Sequence, residues 1–361
     1  MKTWKYALSA LGAALVLAGC GGGGAGDQTT KASFTGFVNF GDSLSDVGSY
    51  KVGTVAALKG GQYTVNSDTA LNWTAVVAKA YALPAPCAAQ TGLDGFASQG
   101  FSVPVANIAT CFSYAQGGSR VTLQPGPGNK LLGGANAVIG QLTVPVKDQM
   151  LAHLAKVGGA YTGKELVTVL AGGNDLFIQA FVFQSTVAAL IGSGQTPAAA
   201  QATAGNAAGV AMGTAGAELA GYVKALVVGK GAKNVVVVNL PNVSRTPDSI
   251  AAGAAAQAFT NQLNTVFNDQ LKQGLAGVPG VVLVDAYTES TTQADNPKPY
   301  GLTNVTDKAC GTTSSLVCTS ANVIPGDVSR YQYADGVHPT PYGYELLAKF
   351  VLSEMIKAGL L

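Results

Sequence analysis

The run Val235-Val236-Val237-Val238, set between Asn234 and Asn239-Leu240-Pro241, constrains the fold more than any other stretch of the chain. Successive residues of a strand point to opposite faces, so four valines in a row ask for burial on both. Leu166-Val167-Thr168-Val169-Leu170, Val281-Val282-Leu283-Val284 and Phe37-Val38-Asn39-Phe40 read the same way. Between these runs lie stretches with apolar residues at helical spacing: 71–83, 144–157, 196–228, 248–275 and 342–360. In 248–275, for example, Phe259, Leu263, Val266, Phe267 and Leu271 share one face. Doubly buried strands alternating with helices predict an α/β fold. The expected form is a three-layer α/β/α sandwich around a mainly parallel sheet of about five strands, one of them a short strand at 107–114. Residues 84–104 and 122–135 read as loop and 286–334 as mostly loop. With no repeat and no mid-chain linker, residues 34–361 are expected to form one domain.

Hydrophobic residues make up 48% of the 361 and charged residues 11%, which excludes an intrinsically disordered chain. The net charge is +2 and the 21 lysines and arginines are scattered, so nucleic acid is not an expected partner. The two histidines, His153 and His338, are too few for a histidine-based metal centre, and neither metal nor cofactor is expected. His153 lies in a helical stretch without an acidic or cysteine partner and is expected at the surface or core edge.

The N-terminus reads as an export signal. Two lysines fall within Met1–Lys5, an apolar run covers Tyr6–Ala18, and Leu17-Ala18-Gly19-Cys20 follows. The last four residues resemble a bacterial lipobox. That implies a lipoprotein signal peptide over 1–19, acylation of Cys20, and residues 20–33 as a Gly-rich tether. A glycine after the cysteine resembles lipoproteins sorted to the outer membrane, so the expected location is membrane-anchored, periplasmic or surface-facing. Cys87, Cys111, Cys310 and Cys318 form an even set in such a protein, and disulfides are expected. Of the three possible pairings, Cys310 with Cys318 and Cys87 with Cys111 is favoured.

Three strands end in polar, glycine-rich turns: Gly41-Asp42-Ser43, Gly117-Gly118-Ser119 (after the short strand) and Gly172-Gly173-Asn174-Asp175. In open parallel sheets, sites form beyond the carboxyl ends of the strands, so these turns are expected around one crevice. Tyr333-Ala334-Asp335-Gly336-Val337-His338 adds an acid three residues before a histidine. A turn there lets the carboxylate meet one imidazole nitrogen while the other faces a serine.

Together these segments resemble the GDSL lipases and esterases of the SGNH hydrolase superfamily. The blocks are Gly41-Asp42-Ser43-Leu44-Ser45-Asp46, Ser113-Tyr114-Ala115-Gln116-Gly117-Gly118, Gly172-Gly173-Asn174-Asp175 and Asp335-Gly336-Val337-His338-Pro339-Thr340, in the family's order. The resemblance implies Ser43 as nucleophile, His338 as base and Asp335 as its orienter. It implies an oxyanion hole of the Ser43 and Gly118 backbone N–H groups and the Asn174 amide. Asp42 and Asp175 are expected to brace the turns. Ser113 stands where the family usually has asparagine, and Gly48-Ser49 where Gly-Asn is common. The implied activity is carboxylic-ester hydrolysis on a small-molecule or lipid ester, by a monomer. The alternatives are a carbohydrate O-acetylesterase using the same triad and a non-catalytic envelope-binding lipoprotein.

Two motifs are decoys. Gly158 to Glu165 nearly spells a phosphate-binding loop, but it precedes a strand and has Glu165 where Ser or Thr is required. The Ala-rich stretch 196–228 imitates a membrane span, but Gln201, Asn206, Glu218 and Lys224 interrupt it.

Overall fold

The computed structural model describes residues 33–360; the expected signal peptide, Cys20 and nearly all of the expected tether lie outside the described residues. The chain runs β1 (Gly36–Gly41), α1 (Gly53–Ala57), α2 (Trp73–Ala80), then a hairpin of β2 (Gln90–Asp94) and β3 (Ser102–Asn107). Next come α3 (Gly134–Ile139), α4 (Val146–Lys156), β4 (Glu165–Leu170), α5 (Gly173–Gly192), α6 (Pro197–Tyr222) and β5 (Asn234–Val238). The remainder is α7 (Pro247–Ala251), α8 (Ala254–Leu275), β6 (Val281–Val284), α9 (Ala286–Asp295), β7 (Asn304–Lys308), β8 (Tyr331–Tyr333) and α10 (Pro341–Lys357).

The central sheet is parallel, in the order β1-β4-β5-β6. One register row reads Val38, Val167, Val235, Val281. The doubly apolar strands explain the layers. Val38, Phe40, Val167, Val169, Val235 and Val237 face one core with Met150 of α4, Met212 and Leu219 of α6 and Leu263 and Phe267 of α8. Phe37, Leu166, Leu170, Val236, Val238 and Val284 face a second core with Trp73 and Val77 of α2 and Tyr344 and Val351 of α10. Helix starts are written locally: Thr196-Pro197, Thr246-Pro247 and Thr340-Pro341 each place a capping threonine before a proline at the first helical position.

Several expectations change. The sheet has four strands, not five. The stretch expected as a strand at 107–114 contributes only isolated parallel bridges at Ser113, one to Asn39 of β1 and one to Ala88. The chain closes a disulfide at Cys111 just before Ser113, and Phe112 and Tyr114 each make a single backbone bond to Asn39. The loop expected at 84–104 folds mostly into the β2–β3 hairpin, 122–135 runs into α3, and 286–334 holds α9, β7 and β8. The stretch 248–275 is two helices, divided where Gly253 adopts φ +88°. The disulfides are Cys87–Cys111 and Cys310–Cys318, as favoured. The near-phosphate loop is a helix-to-strand turn, its Thr162 and Gly163 N–H groups held by the Glu165 carboxylate.

Candidate active site

The turn after β1 is fixed before any chemistry is considered. A Cβ on Gly41 would lie 2.2 Å from the Leu170 carbonyl oxygen, so only glycine lets β1 end this close to β4. The buried Gln149 side chain of α4 accepts from the Gly41 N–H at 2.9 Å. It also donates to the Gly41 carbonyl at 2.9 Å and to Ser119 Oγ at 3.2 Å. One amide thus ties the first turn to the second. Asp46 continues the brace: its carboxylate accepts from the N–H groups of Gly48 at 2.8 Å, Ser49 at 2.7 Å and Gly117 at 2.9 Å. Asn39 donates to Ser45 O and to Ser113 Oγ, both at 2.8 Å, so the serine that departs from the family pattern keeps a hydrogen bond at that point.

Ser43 emerges from this frame with its Oγ 2.9 Å from His338 Nε2. The other imidazole nitrogen, Nδ1, lies 2.9 Å from both Asp335 carboxylate oxygens. Asp335 Oδ1 also accepts from the backbone N–H groups of Val337 at 3.0 Å and His338 at 2.8 Å. Burial alone would favour the neutral carboxyl, but His338, Ser315 and the Val337 N–H override it and hold Asp335 well below the usual carboxylate range. Ordering His338 this way fixes which nitrogen faces the serine.

Across the cleft, Gly118 has φ +79°, and a Cβ there would meet the Pro127 carbonyl oxygen at 2.1 Å. The Gly117 N–H is already taken by Asp46. Among the described residues, the N–H groups of Ser43 and Gly118 have no acceptor. Asn174, at the start of α5, donates one amide hydrogen to Ser119 O at 2.8 Å, leaving the second for the cleft it lines together with Ser43 and Gly118. Asp175 is tied to Arg120 Nε at 3.1 Å and the Val121 N–H at 2.9 Å, both inside the protein.

Asp42 is buried beside Ser43 and accepts from the Leu44 N–H at 3.1 Å. Burial pushes its carboxyl up to about 7; the Leu44 bond and His338 oppose the shift, and the nearby Asp175 adds to it. Two openings meet at Ser43. A cleft of about 580 Å³ runs between the 118–141 segment, the first turns of α5 and the start of α8. A narrower slot of about 90 Å³ is walled by Leu44, Phe177, Leu240, Pro241, Val243 and Leu347.

Sequence reasoning missed three neighbours. Ser315 donates its N–H to Asp335 Oδ2 at 3.2 Å and places its hydroxyl 3.2 Å from His338 Nδ1. Its signal was its place inside the Cys310–Cys318 loop. The Tyr63 ring lies 4.7 Å from the His338 ring, and neither Tyr63 nor Gln149 stands in a recognisable motif. His153 is a correction. It is fully inside the core rather than at its edge, ringed by Phe40, Phe112, Tyr114 and Tyr161, with Nδ1 3.2 Å from the Tyr114 hydroxyl. Burial pushes its pKa down to about 4, so it packs there as a neutral ring. Among the described residues no cluster of His, Cys, Asp and Glu is arranged to hold a metal.

A parallel α/β sheet that carries a serine–histidine–aspartate relay beyond its strand ends has the layout of a nucleophilic hydrolase. The chain belongs to the GDSL-like lipase/acylhydrolase family, whose profile matches residues 37–351. A GDSL esterase/lipase of Arabidopsis thaliana is 34% identical over 137 residues, covering 36% of this chain and 38% of its own length. A second from the same plant is 24% identical over 144 residues, covering 35% and 40%. The chain thus spans about two fifths of the length of these curated relatives. The crystal structure of phospholipase A1 from Streptomyces albidoflavus NA297 aligns over 90% of this chain and 100% of its own, with TM-score 0.45 and 16% identity.

Proposed function

We propose that this protein is a serine carboxylic-ester hydrolase working through an acyl-enzyme on Ser43. The observation that carries the reading is the continuous relay from Ser43 Oγ through His338 to Asp335, with 2.9 Å at each joint. His338 Nε2 takes the hydroxyl proton as Ser43 Oγ bonds to the ester carbonyl carbon. The carbonyl electron pair moves to oxygen, giving a tetrahedral oxyanion. The oxyanion would sit among the Ser43 N–H, the Gly118 N–H and the free Asn174 amide hydrogen, and each preorganised donor of this kind is worth about 3–4 kcal/mol. Collapse expels the alkoxide, which takes the proton from His338. Water then repeats the sequence on the acyl-serine and releases the acid.

The apolar slot beside Ser43 supports an acyl chain as its occupant, and hence a fatty or aryl ester in preference to an acetylated glycan. The export signal and lipobox support an outer-membrane lipoprotein held by acylated Cys20, monomeric and without cofactor. The test is turnover of nitrophenyl esters from short to long acyl chains, with Ser43→Ala alongside. Loss of turnover in a folded Ser43→Ala protein is the expected result. Full activity in that variant would refute the mechanism, and activity confined to acetylated glycans would move the substrate to carbohydrate.

A further inference from the structure

Helix α5 is an anomaly for a water-soluble domain. Among the described residues it is the helix long and apolar enough to cross a bilayer, yet only 11% of its most apolar stretch is buried. The Ala-rich stretch that imitates a span in the sequence is not the one. Its α6 residues Ala204, Ala208, Met212, Ala215 and Leu219 are packed inside. In α5, by contrast, Phe177, Phe181 and Gln184 share one helical stripe, which starts in the cleft wall beside Ser43 and runs out into solvent. Phe181 is 69% exposed, and Val182 and Ile191 are exposed with it. From Leu176 to Ala217, through all of α5 beyond its first turn and most of α6, the chain carries no Asp, Glu, Lys, Arg or His. The segment that lines the same cleft through Pro127 and Gly128 also exposes apolar side chains: Leu131 is 71% exposed, and Leu123 and Leu132 are exposed with it. Asp248, which lines the cleft, is paired with Lys308, and Lys130 of the 118–141 segment with Asp94, each pair at 2.5 Å.

We infer that this rim is a docking face for a zwitterionic lipid surface, with α5 lying in the interface and the Ser43 cleft opening onto the lipid. A helix uncharged beyond its first turn, with exposed aromatic and aliphatic side chains, suits the boundary between headgroups and acyl chains, and paired charges at and near the cleft give no preference for anionic lipid. The chain outside the described residues favours lipid over a protein partner. It enters at Ser33, before the first residue of β1, at the opposite end of the sheet from Ser43. The 13 residue steps from Cys20 to Ser33 span at most about 45 Å. The sheet is only about 20 Å long, so an anchored domain can turn its cleft to the membrane that holds it. The inference rests on the proposed function in two places: the Ser43 cleft is taken as the one that must meet lipid, and Cys20 as the anchored residue.

The test uses the full-length anchored protein with Phe181→Trp or Ile356→Trp, in vesicles of phosphatidylcholine with or without brominated acyl chains. Ile356, near the end of α10, is exposed far along the chain from the cleft rim. Relative to the unsubstituted protein, the emission added by Phe181→Trp should shift to the blue and be quenched at least twofold by brominated lipid, while that added by Ile356→Trp stays unquenched. Equal quenching of both, quenching at 356 alone, or none at 181 would overturn the inference. So would a blue shift at 181 that follows protein concentration without lipid, since that marks self-association. Labelling of Ser43 by a soluble fluorophosphonate, read separately, tells failure of the hydrolase reading from failure of docking.

Discussion

Replacing Asp42 with asparagine isolates the electrostatic cost of the nucleophile turn. The carboxyl is buried, and its pKa is raised from 3.8 to about 7. A group whose folded pKa lies above its unfolded value binds more protons when folded. Its contribution is therefore fully present below about pH 4 and is lost as pH rises through about 7. At 1.36 kcal/mol per unit, the whole span is worth about 4 kcal/mol, of which about 3 falls between pH 5 and pH 9. Asparagine keeps an oxygen for the Leu44 N–H and has no charge to bury. Urea unfolding of both proteins at pH 5 and pH 9, disulfides intact, gives a double difference in which every other titrating group cancels to first order. The variant should gain about 3 kcal/mol on the native protein from pH 5 to pH 9. A gap between the two that changes by less than about 1 kcal/mol would show that Asp42 is solvated or paired in a way the fold does not display.

Gln149→Leu should lower stability by about 2–3 kcal/mol, because the Gly41 N–H is left buried without an acceptor. The loosened turns should also reduce kcat with little change in KM, measured on a soluble ester. Ser315→Ala removes one neutral hydrogen bond at His338, about 1 kcal/mol, so kcat should fall about fivefold with KM and thermal midpoint nearly unchanged. A loss as large as that of Ser43→Ala would mean that Ser315 takes part in the chemistry itself. The double variant Cys310→Ser with Cys318→Ser opens a loop of eight residues' separation and should cost about 2–3 kcal/mol in denaturant unfolding. It should lower kcat as well, since Ser315 is held inside that loop.

What the sequence disclosed and what it hid divide by the range of the interactions. Val235 to Val238 and Leu166 to Leu170 declare a doubly covered parallel sheet because burial on both faces is written residue by residue. Asp335 and His338 declare each other because they are three apart. The stretch around Ser113 reads as a whole strand because its apolar residues fit one; in the fold it makes isolated bridges at Ser113 alone, to Asn39 and Ala88, beside a disulfide at Cys111. The β2–β3 hairpin was hidden for the converse reason. Gly92, Gly95 and Pro104 look like loop, and the pairing is between segments that carry no alternation of their own. His153 looked peripheral because the rings around it come from β1, from the bridge segment and from beyond α4. Gln149 reaches Gly41, 108 positions away, and Tyr63 packs on His338 from the far end of the chain, so neither contact is written in local sequence.

The bond between Ser43 and His338 joins residues 295 positions apart. A ribosome adding about 5–20 residues per second makes the serine some 15–60 s before the imidazole that would draw off its proton. During that interval the chain owns a hydroxyl in a strand-end turn and nothing to activate it. Under the proposed mechanism, fragments released early would be inert. Under that mechanism the hydroxyl meets its base only when the segment between β8 and α10 has arrived, so the order of the elements along the chain itself would time the onset of reactivity.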